Sequence, residues 1–280
     1  MNNSKFDFSR FKKVIVYDFY QYLRRYGVVM AVLIGLPTVL VWVSSLSVLS
    51  WGGTGLSEVM NIPPDIRLSA ISSCWNVAIF LAPAWLYGFM NMKKDGPQYA
   101  TLPATYFEKF CSILFYTVIF TPVVYMALAL LIDMLLTLLP FGGYQEFIWN
   151  FSLIEYYDFD FSNSLSEMMV KTAWIGSILS IFASSSLMFF FSTVFKKHKV
   201  AKTCALIFAL SFVIMIAMFA AIPSIVEYVE ENPAFFEDYF ARYIEERLMP
   251  IIFYGTIICE VVQTVICYVW GYHRMKKMKF

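Results

Sequence analysis

Two acidic side chains lie inside long apolar segments, where a carboxyl group needs a chemical or structural role. Glu260 lies near the middle of the segment 248–272, and Asp133 lies near one end of the segment 110–139. A charged side chain at the centre of a bilayer costs roughly 2.5–3.5 kcal/mol or more. Gln263 shares the helical face of Glu260, so this face should point into a helix bundle or a water-filled path. Two roles fit these three residues: they are candidates for a translocation path, or they form an internal hydrogen-bonded clamp.

Residue sets for catalysis and for metal binding are missing from the sequence. Both histidines, His198 and His273, lie in basic clusters, and the five cysteines are scattered without a Cys-x-x-Cys pair. A phosphate-binding loop is also missing, because the glycine-rich run 52–55 lacks the required lysine. The net charge of +1 gives no reason to expect nucleic acid as a partner. We therefore expect no enzyme activity, no cofactor and no metal.

Six long apolar segments must position these side chains. The chain has 280 residues, of which 60% are hydrophobic and 15% charged, against about 45–50% and about 25% in soluble domains. A helix needs about 20 residues to cross about 30 Å of hydrocarbon. The segments that meet this length are 28–49, 68–90, 110–139, 171–195, 200–224 and 248–272. We predict an all-α membrane protein whose residues 1–280 form one six-helix transmembrane domain.

Prolines interrupt three of the predicted spans, at Pro37, Pro83 and Pro122. A proline frees the carbonyl four residues before it, and membrane helices tolerate this where a neighbour satisfies that carbonyl. We therefore expect donors from neighbouring helices at these points.

Lysine and arginine segregate between alternate loops. One set of segments holds 17 of the 21 basic residues, and the opposite set holds only Arg67, Lys171, Arg242 and Arg247. The positive-inside rule places the basic set, with both termini, in the cytoplasm. On the external side, the segments 140–170 and 225–247 are rich in aromatic and acidic residues, which predicts short interfacial helices. On the cytoplasmic side, residues 196–199 leave only a tight turn, so the fourth and fifth spans should form a hairpin.

The N-terminal residues 1–27 predict an amphipathic helix. Apolar and aromatic residues recur at spacings of three and four and share one face: Phe8, Phe11, Ile15, Phe19, Tyr22 and Tyr26. Basic residues lie on the opposite side. We expect this helix to lie in the cytoplasmic interface with its aromatic face in the acyl boundary. It is either a simple anchor or a helix that also contacts a cytoplasmic partner.

The loop between the second and third spans, residues 93–109, contains two local signals. Asp95-Gly96-Pro97 marks a turn, and Thr105 with Glu108 forms the Thr-x-x-Glu capping box that opens a helix. Local chemistry alone predicts a turn followed by a capped helix.

The same loop carries a resemblance. Its Tyr-x-x-Leu-Pro-x-x-x-x-Glu-Lys segment comprises Tyr99, Leu102, Pro103, Glu108 and Lys109. With six spans and an amphipathic N-terminal helix, it resembles the bacterial type-two permeases of ATP-binding-cassette transporters. The resemblance implies that the chain lies in the bacterial inner membrane. It also implies that this loop docks on a separate ATPase subunit. It also implies an exporter that works as a homodimer or as a heterodimer with a related permease.

Two other functions stay open on sequence grounds. A non-transporting scaffold or sensor subunit needs no cargo site, and the sequence identifies no cargo. An intramembrane enzyme is the least favoured alternative, because Asp133 and Glu260 lie at different depths and neither histidine lies within a span.

Overall fold

The structure is a computed structural model, and it describes residues 6–50, 62–91, 96–139, 144, 146–148, 164–231 and 249–277. All regular structure in these ranges is helical, which confirms the all-α prediction. Six helices are long and apolar enough to cross a membrane, in agreement with the six predicted spans. Most of the predicted external helices in 140–170 and 225–247 lies outside the described residues, which here comprise 144, 146–148 and the parts of the long helices at 164–170 and 225–231.

The chain divides into two compact units, and the first comprises Met1–Phe159 and Tyr272–Phe280. Its helices are α1 (Phe8–Gln21), α2 (Gly27–Ser50), α3 (Pro64–Tyr87), α4 (Gly96–Ala100), α5 (Tyr106–Leu114) and α6 (Thr121–Leu138). Two π-helical turns make longer helical runs: Tyr22–Tyr26 joins α1 to α2, and Phe115–Phe120 joins α5 to α6. A 3-10 turn, Gly88–Asn91, follows α3.

The N-terminal amphipathic helix is continuous with the first span. Its aromatic residues divide between two environments: Phe8 and Phe19 are exposed, whereas Tyr22 and Tyr26 are buried against protein. The prediction that this whole face contacts lipid is therefore wrong for the two tyrosines. The physical reason is the π turn, which inserts an extra residue and rotates the apolar face of the helix toward α3 and α6. The ring centroids of Tyr22 and Phe120, one from each π turn, lie 5.1 Å apart.

Buried tyrosine hydroxyls join the long helices of this unit. The Tyr125 hydroxyl donates to the carbonyl of Leu33 at 3.1 Å, and this is the carbonyl that Pro37 frees. The expectation that a neighbouring helix satisfies the freed carbonyl is confirmed at this proline. The Tyr26 hydroxyl also donates to a main-chain carbonyl of a neighbouring helix, that of Ala78 in α3.

The second unit, Asp160–Gly271, contains α7 (Ser164–Val194), α8 (Lys199–Glu231) and most of α9 (Met249–Lys277). A short turn joins α7 to α8, as predicted for the basic residues 196–199. His198 in this turn has a φ of 51°, which lets the chain reverse. The Lys199 ammonium donates to the carbonyl of Ser192 at 2.9 Å and so closes the end of α7.

Candidate functional site

The first candidate site is a buried polar cluster where α1, α3, α4 and α5 meet. Its centre is the Asp18 carboxylate, which is 3% exposed. The Asp18 Oδ2 atom accepts hydrogen bonds from the hydroxyls of Ser112 at 2.5 Å, Tyr87 at 3.2 Å and Tyr99 at 3.4 Å. A carboxylate that accepts several hydrogen bonds away from water holds its donors firmly in place. We call these four residues the Asp18 cluster.

Lys109 extends the Asp18 cluster to the end of α4. The Lys109 ammonium donates to the carbonyls of Tyr99 at 2.8 Å and Ala100 at 3.1 Å. These are the last two carbonyls of α4, which have no partner within their own helix. Because Lys109 is 3% exposed and also faces the Asp18 carboxylate, the contact is shielded from water. α4 is thus attached to its neighbours at both its side and its end.

Tyr99 acts as the hydroxyl donor of α4. Complete burial raises the pKa of Tyr99 well above its usual range, and the adjacent Asp18 carboxylate raises this pKa further. The phenol therefore keeps its proton at neutral pH and remains a hydrogen-bond donor to Asp18.

A second polar group, centred on Glu108, fastens the start of α1 to the start of α5. The Glu108 Oε1 atom accepts from the Arg10 guanidinium at 3.1 Å and from the main-chain N–H of Asp7 at 2.9 Å. Its Oε2 atom accepts from the N–H of Thr105 at 2.8 Å, and the Thr105 side chain accepts in return from the N–H of Glu108. The predicted capping box is confirmed, and it also serves a contact between distant parts of the chain.

The residues that the sequence predicted as docking residues therefore fall into two groups. Tyr99, Glu108 and Lys109 are buried within the chain, with exposures of 2%, 0% and 3%. The expectation that the Tyr99 ring anchors a partner is corrected, because the ring and hydroxyl contact the chain's own Asp18, Tyr87 and Lys109. Leu102 is half-buried and Pro103 is exposed, so these two stay accessible at the tip of the loop.

The second candidate site is an ion pair at the opposite end of α3. The Arg67 guanidinium donates to the two carboxylate oxygens of Asp133 at 3.0 and 3.2 Å, and to the Thr137 hydroxyl at 3.3 Å. It also donates to the main-chain carbonyl of Glu146, and its Cζ lies 4.4 Å from the ring centroid of Tyr144. A cavity of about 10 Å³ beside the pair has room for about one water molecule.

The partner of Asp133 was not predicted from the sequence. Arg67 was assigned to an external loop outside the span 68–90, but α3 begins at Pro64 and includes it. Both side chains are buried, at 1% and 7% exposure. The carboxylate of Asp133 is thus occupied by Arg67, and this geometry supports the clamp rather than a path through Asp133.

The two polar sites are separated along α3 by about the thickness of a membrane. Arg67 and Tyr87 are 20 residues apart in α3, which corresponds to about 30 Å at 1.5 Å per residue. The hydrocarbon core of a bilayer is also about 30 Å thick. The separation of the Asp18 cluster and the Arg67–Asp133 pair along α3 therefore matches the thickness of one hydrocarbon core.

The remaining predicted path residues belong to the second unit. Glu260 and Gln263 are half-buried in α9. Within the described residues, the Glu260 Oε2 atom is buried without a hydrogen-bond partner, and the Thr264 hydroxyl donates to the main-chain carbonyl of Glu260 at 2.7 Å. A translocation role for these two side chains stays a prediction.

Two features of the sequence point to the site residues that were not predicted, Asp18 and the partner of Asp133. Asp18 is three residues after Ile15 and four before Tyr22, so it falls on the aromatic face of the N-terminal helix, where an acid is out of place. Arg67 directly precedes the predicted span 68–90, and Asp133 lies near the external end of the span 110–139. The two residues are therefore opposite charges at the same predicted membrane boundary, which makes them candidates for a pair.

Comparison of this chain with family models, with curated proteins and with solved structures finds no match. The assignment of function therefore rests on the chain's own residues and on the loop motif.

Proposed function

We propose that this chain is the membrane-spanning permease subunit of an ATP-driven exporter, coupled to a separate ATPase subunit. The proposal places the chain in a bacterial inner membrane with both termini in the cytoplasm, as the lysine and arginine distribution favours. Two membrane halves would form the transporter, either two copies of this chain or this chain with a related permease.

The observation that carries the proposal is the attachment of α4. This short helix, which includes Tyr99, lies on the side of the membrane boundary that the basic residues mark as cytoplasmic. Buried polar contacts to Asp18 and Lys109 join it to α1, α3 and α5. In this proposal, these attachments carry a force applied to the short helix to the spanning helices.

The tip of the loop supplies the surface for the ATPase in this proposal. Gln98, Thr101 and Pro103 are exposed, and Leu102 is half-buried beside them. The tip is held by its own main chain, with the N–H of Thr101 donating to the carbonyl of Pro97 at 3.0 Å. A preorganised apolar and proline tip binds a partner with little loss of conformational entropy.

The buried residues of the motif, Tyr99, Glu108 and Lys109, then connect the loop tip to the spanning helices. Closure of an ATPase pair would displace the tip, and the Asp18 cluster would pass the displacement to α3 and to the helical runs α1–α2 and α5–α6. Such rigid elements rock between two arrangements in alternating access. Glu260 and Gln263 stay the candidates for contact with cargo.

The test is site-specific photo-crosslinking in cells, with the probe at Thr101. A control probe at Glu146, which is exposed at the opposite boundary, reports non-specific capture. We expect the Thr101 probe alone to capture a polypeptide that contains a phosphate-binding loop and hydrolyses ATP. Leu102→Asp should weaken its co-purification about 5- to 30-fold, the usual loss of an apolar anchor.

Capture of a protein without a phosphate-binding loop would instead favour the scaffold or sensor alternative. Unchanged co-purification and ATP hydrolysis with Leu102→Asp would exclude the loop tip as the docking element.

A further inference from the structure

The hydrogen bonds of the Arg67 guanidinium are incomplete at one nitrogen. Nη1 donates to Asp133 and Thr137, and Nη2 donates to the main-chain carbonyl of Glu146. The Nε atom is buried and has no hydrogen-bond partner within the described residues. A buried donor without a partner costs stability, and the cost is larger for a charged group. The Nε–H group therefore needs an acceptor.

The small cavity beside the ion pair lies next to the same side chains. Its polar lining residues are Thr38, Arg67, Asp133 and Tyr144, and Ala129 of α6 contributes to its apolar lining. All of these residues belong to the first unit. A volume of about 10 Å³ is the minimum for one water molecule, and it excludes any larger ligand.

The two charged groups beside the cavity select a neutral ligand. A bound cation would lie against the Arg67 guanidinium, and a bound anion would lie against the Asp133 carboxylate. Either ion would lose its hydration and gain a like charge as a neighbour, which is costly in a buried site. A water molecule is neutral, and it both donates and accepts hydrogen bonds.

The lining also offers acceptors for the hydrogens of a water molecule. A carboxylate has about four lone-pair sites, and Arg67 Nη1 contacts each oxygen of Asp133 once. The hydroxyl oxygens of Thr38 and Tyr144 can accept as well. Buried waters typically make about three hydrogen bonds, whereas cavities that stay dry have apolar linings. The chemistry of this lining is that of a wet cavity.

We infer that this cavity is a binding site for one water molecule, which accepts a hydrogen bond from Arg67 Nε and donates to the Asp133 carboxylate and to a lining hydroxyl. The ion pair by itself joins α3 to α6. The water connects the pair to α2, because Thr38 follows Pro37 in that helix. The site thus completes a polar contact among three helices, and it needs neither cargo nor ATPase.

The test is the effect of Ala129→Val on equilibrium unfolding of the full chain in detergent micelles. The added methyl groups fill the cavity and displace the water, which leaves Arg67 Nε without an acceptor. We expect the unfolding equilibrium constant to rise about 5- to 100-fold, the usual effect of a buried donor that loses its partner. In a dry cavity the same methyl groups would add packing contacts, and the constant would fall or stay unchanged.

The control for steric overpacking is the same substitution in a chain that carries Arg67→Met and Asp133→Leu. This background has no charged donor at the cavity, so Ala129→Val should leave the unfolding constant unchanged or lower it. An equal rise in both backgrounds would assign the loss to overpacking and overturn the inference. No rise in the original chain would also overturn it.

X-ray radiolysis of the full chain in bilayers provides a direct measurement, because water at a protein site then yields hydroxyl radicals that oxidise the adjacent side chains. Tyr144, which lines the cavity, should be oxidised in the original chain and lose this labelling in Ala129→Val. Tyr125, a buried tyrosine of the same unit that does not line the cavity, is the control and should stay unlabelled. Unlabelled Tyr144 in the original chain would overturn the inference. Equal labelling of Tyr144 in both chains would also overturn it, by assigning the radicals to bulk solvent.

Discussion

Replacement of Asp133 by leucine should leave the Arg67 guanidinium buried without its carboxylate. Arg67 is 1% exposed, and an arginine cannot lose its charge at accessible pH. Breaking a buried ion pair by removing one partner costs about 3–5 kcal/mol of unfolding free energy. The guanidinium keeps the Thr137 hydroxyl, the Glu146 carbonyl and the Tyr144 ring as contacts. We therefore expect the lower end of this range, about 3 kcal/mol.

Removal of both charges should lower the free energy of unfolding far less than removal of Asp133 alone. An apolar pair of similar volume replaces a buried ion pair at little cost, or with a gain in stability. Arg67→Met with Asp133→Leu should therefore lie within about 1 kcal/mol of the original chain. The coupling energy should therefore amount to at least about 2 kcal/mol, the difference between the losses of the single Asp133 variant and the double variant, and the cost of Arg67→Met alone adds to it.

The assay is equilibrium unfolding of the full chain in detergent micelles, followed by tryptophan fluorescence. Asp65→Asn is the control, because Asp65 lies in the first turn of the same helix and is half-exposed. It should cost no more than about 0.3–1 kcal/mol. Equal losses for the single Asp133 variant and the double variant would refute the reasoning, since removal of the arginine charge would then not relieve the loss.

Three smaller effects follow from other contacts. Asp18→Leu removes the acceptor shared by three buried hydroxyls, so hydrogen exchange of the main-chain amides in α4 should accelerate measurably while α6 stays protected. If the amides of α4 exchanged at the same rate in the variant and in the original chain, Asp18 would be excluded as the attachment of α4. Tyr125→Phe frees the Leu33 carbonyl and should cost about 1 kcal/mol in the same unfolding assay, whereas Tyr106→Phe, at an exposed position, should cost almost nothing. Thr105→Ala breaks the capping box and should cost about 1 kcal/mol, with an increase in proteolysis near the start of α5 as its signature; unchanged proteolysis would contradict a stabilising role for the cap.

The sequence by itself determined the class of the protein and the placement of its long helices. Runs of about 20 apolar residues fold into helices in lipid, because no other open structure satisfies the main chain there. The capping box at Thr105 and the turn at 196–199 were also readable, since both depend on neighbours within a few residues. Local chemistry decides such features.

Only the tertiary structure decided the roles of the polar residues. Asp18 and Tyr99 are 81 residues apart in the chain, and Arg67 and Asp133 are 66 apart. No periodicity relates such positions, because their meeting depends on which helices pack and at what depth. The π turn at Tyr22–Tyr26 also rotates a face that regular helical spacing assigned to lipid. Burial then changed Tyr99 from an expected surface anchor into an internal donor.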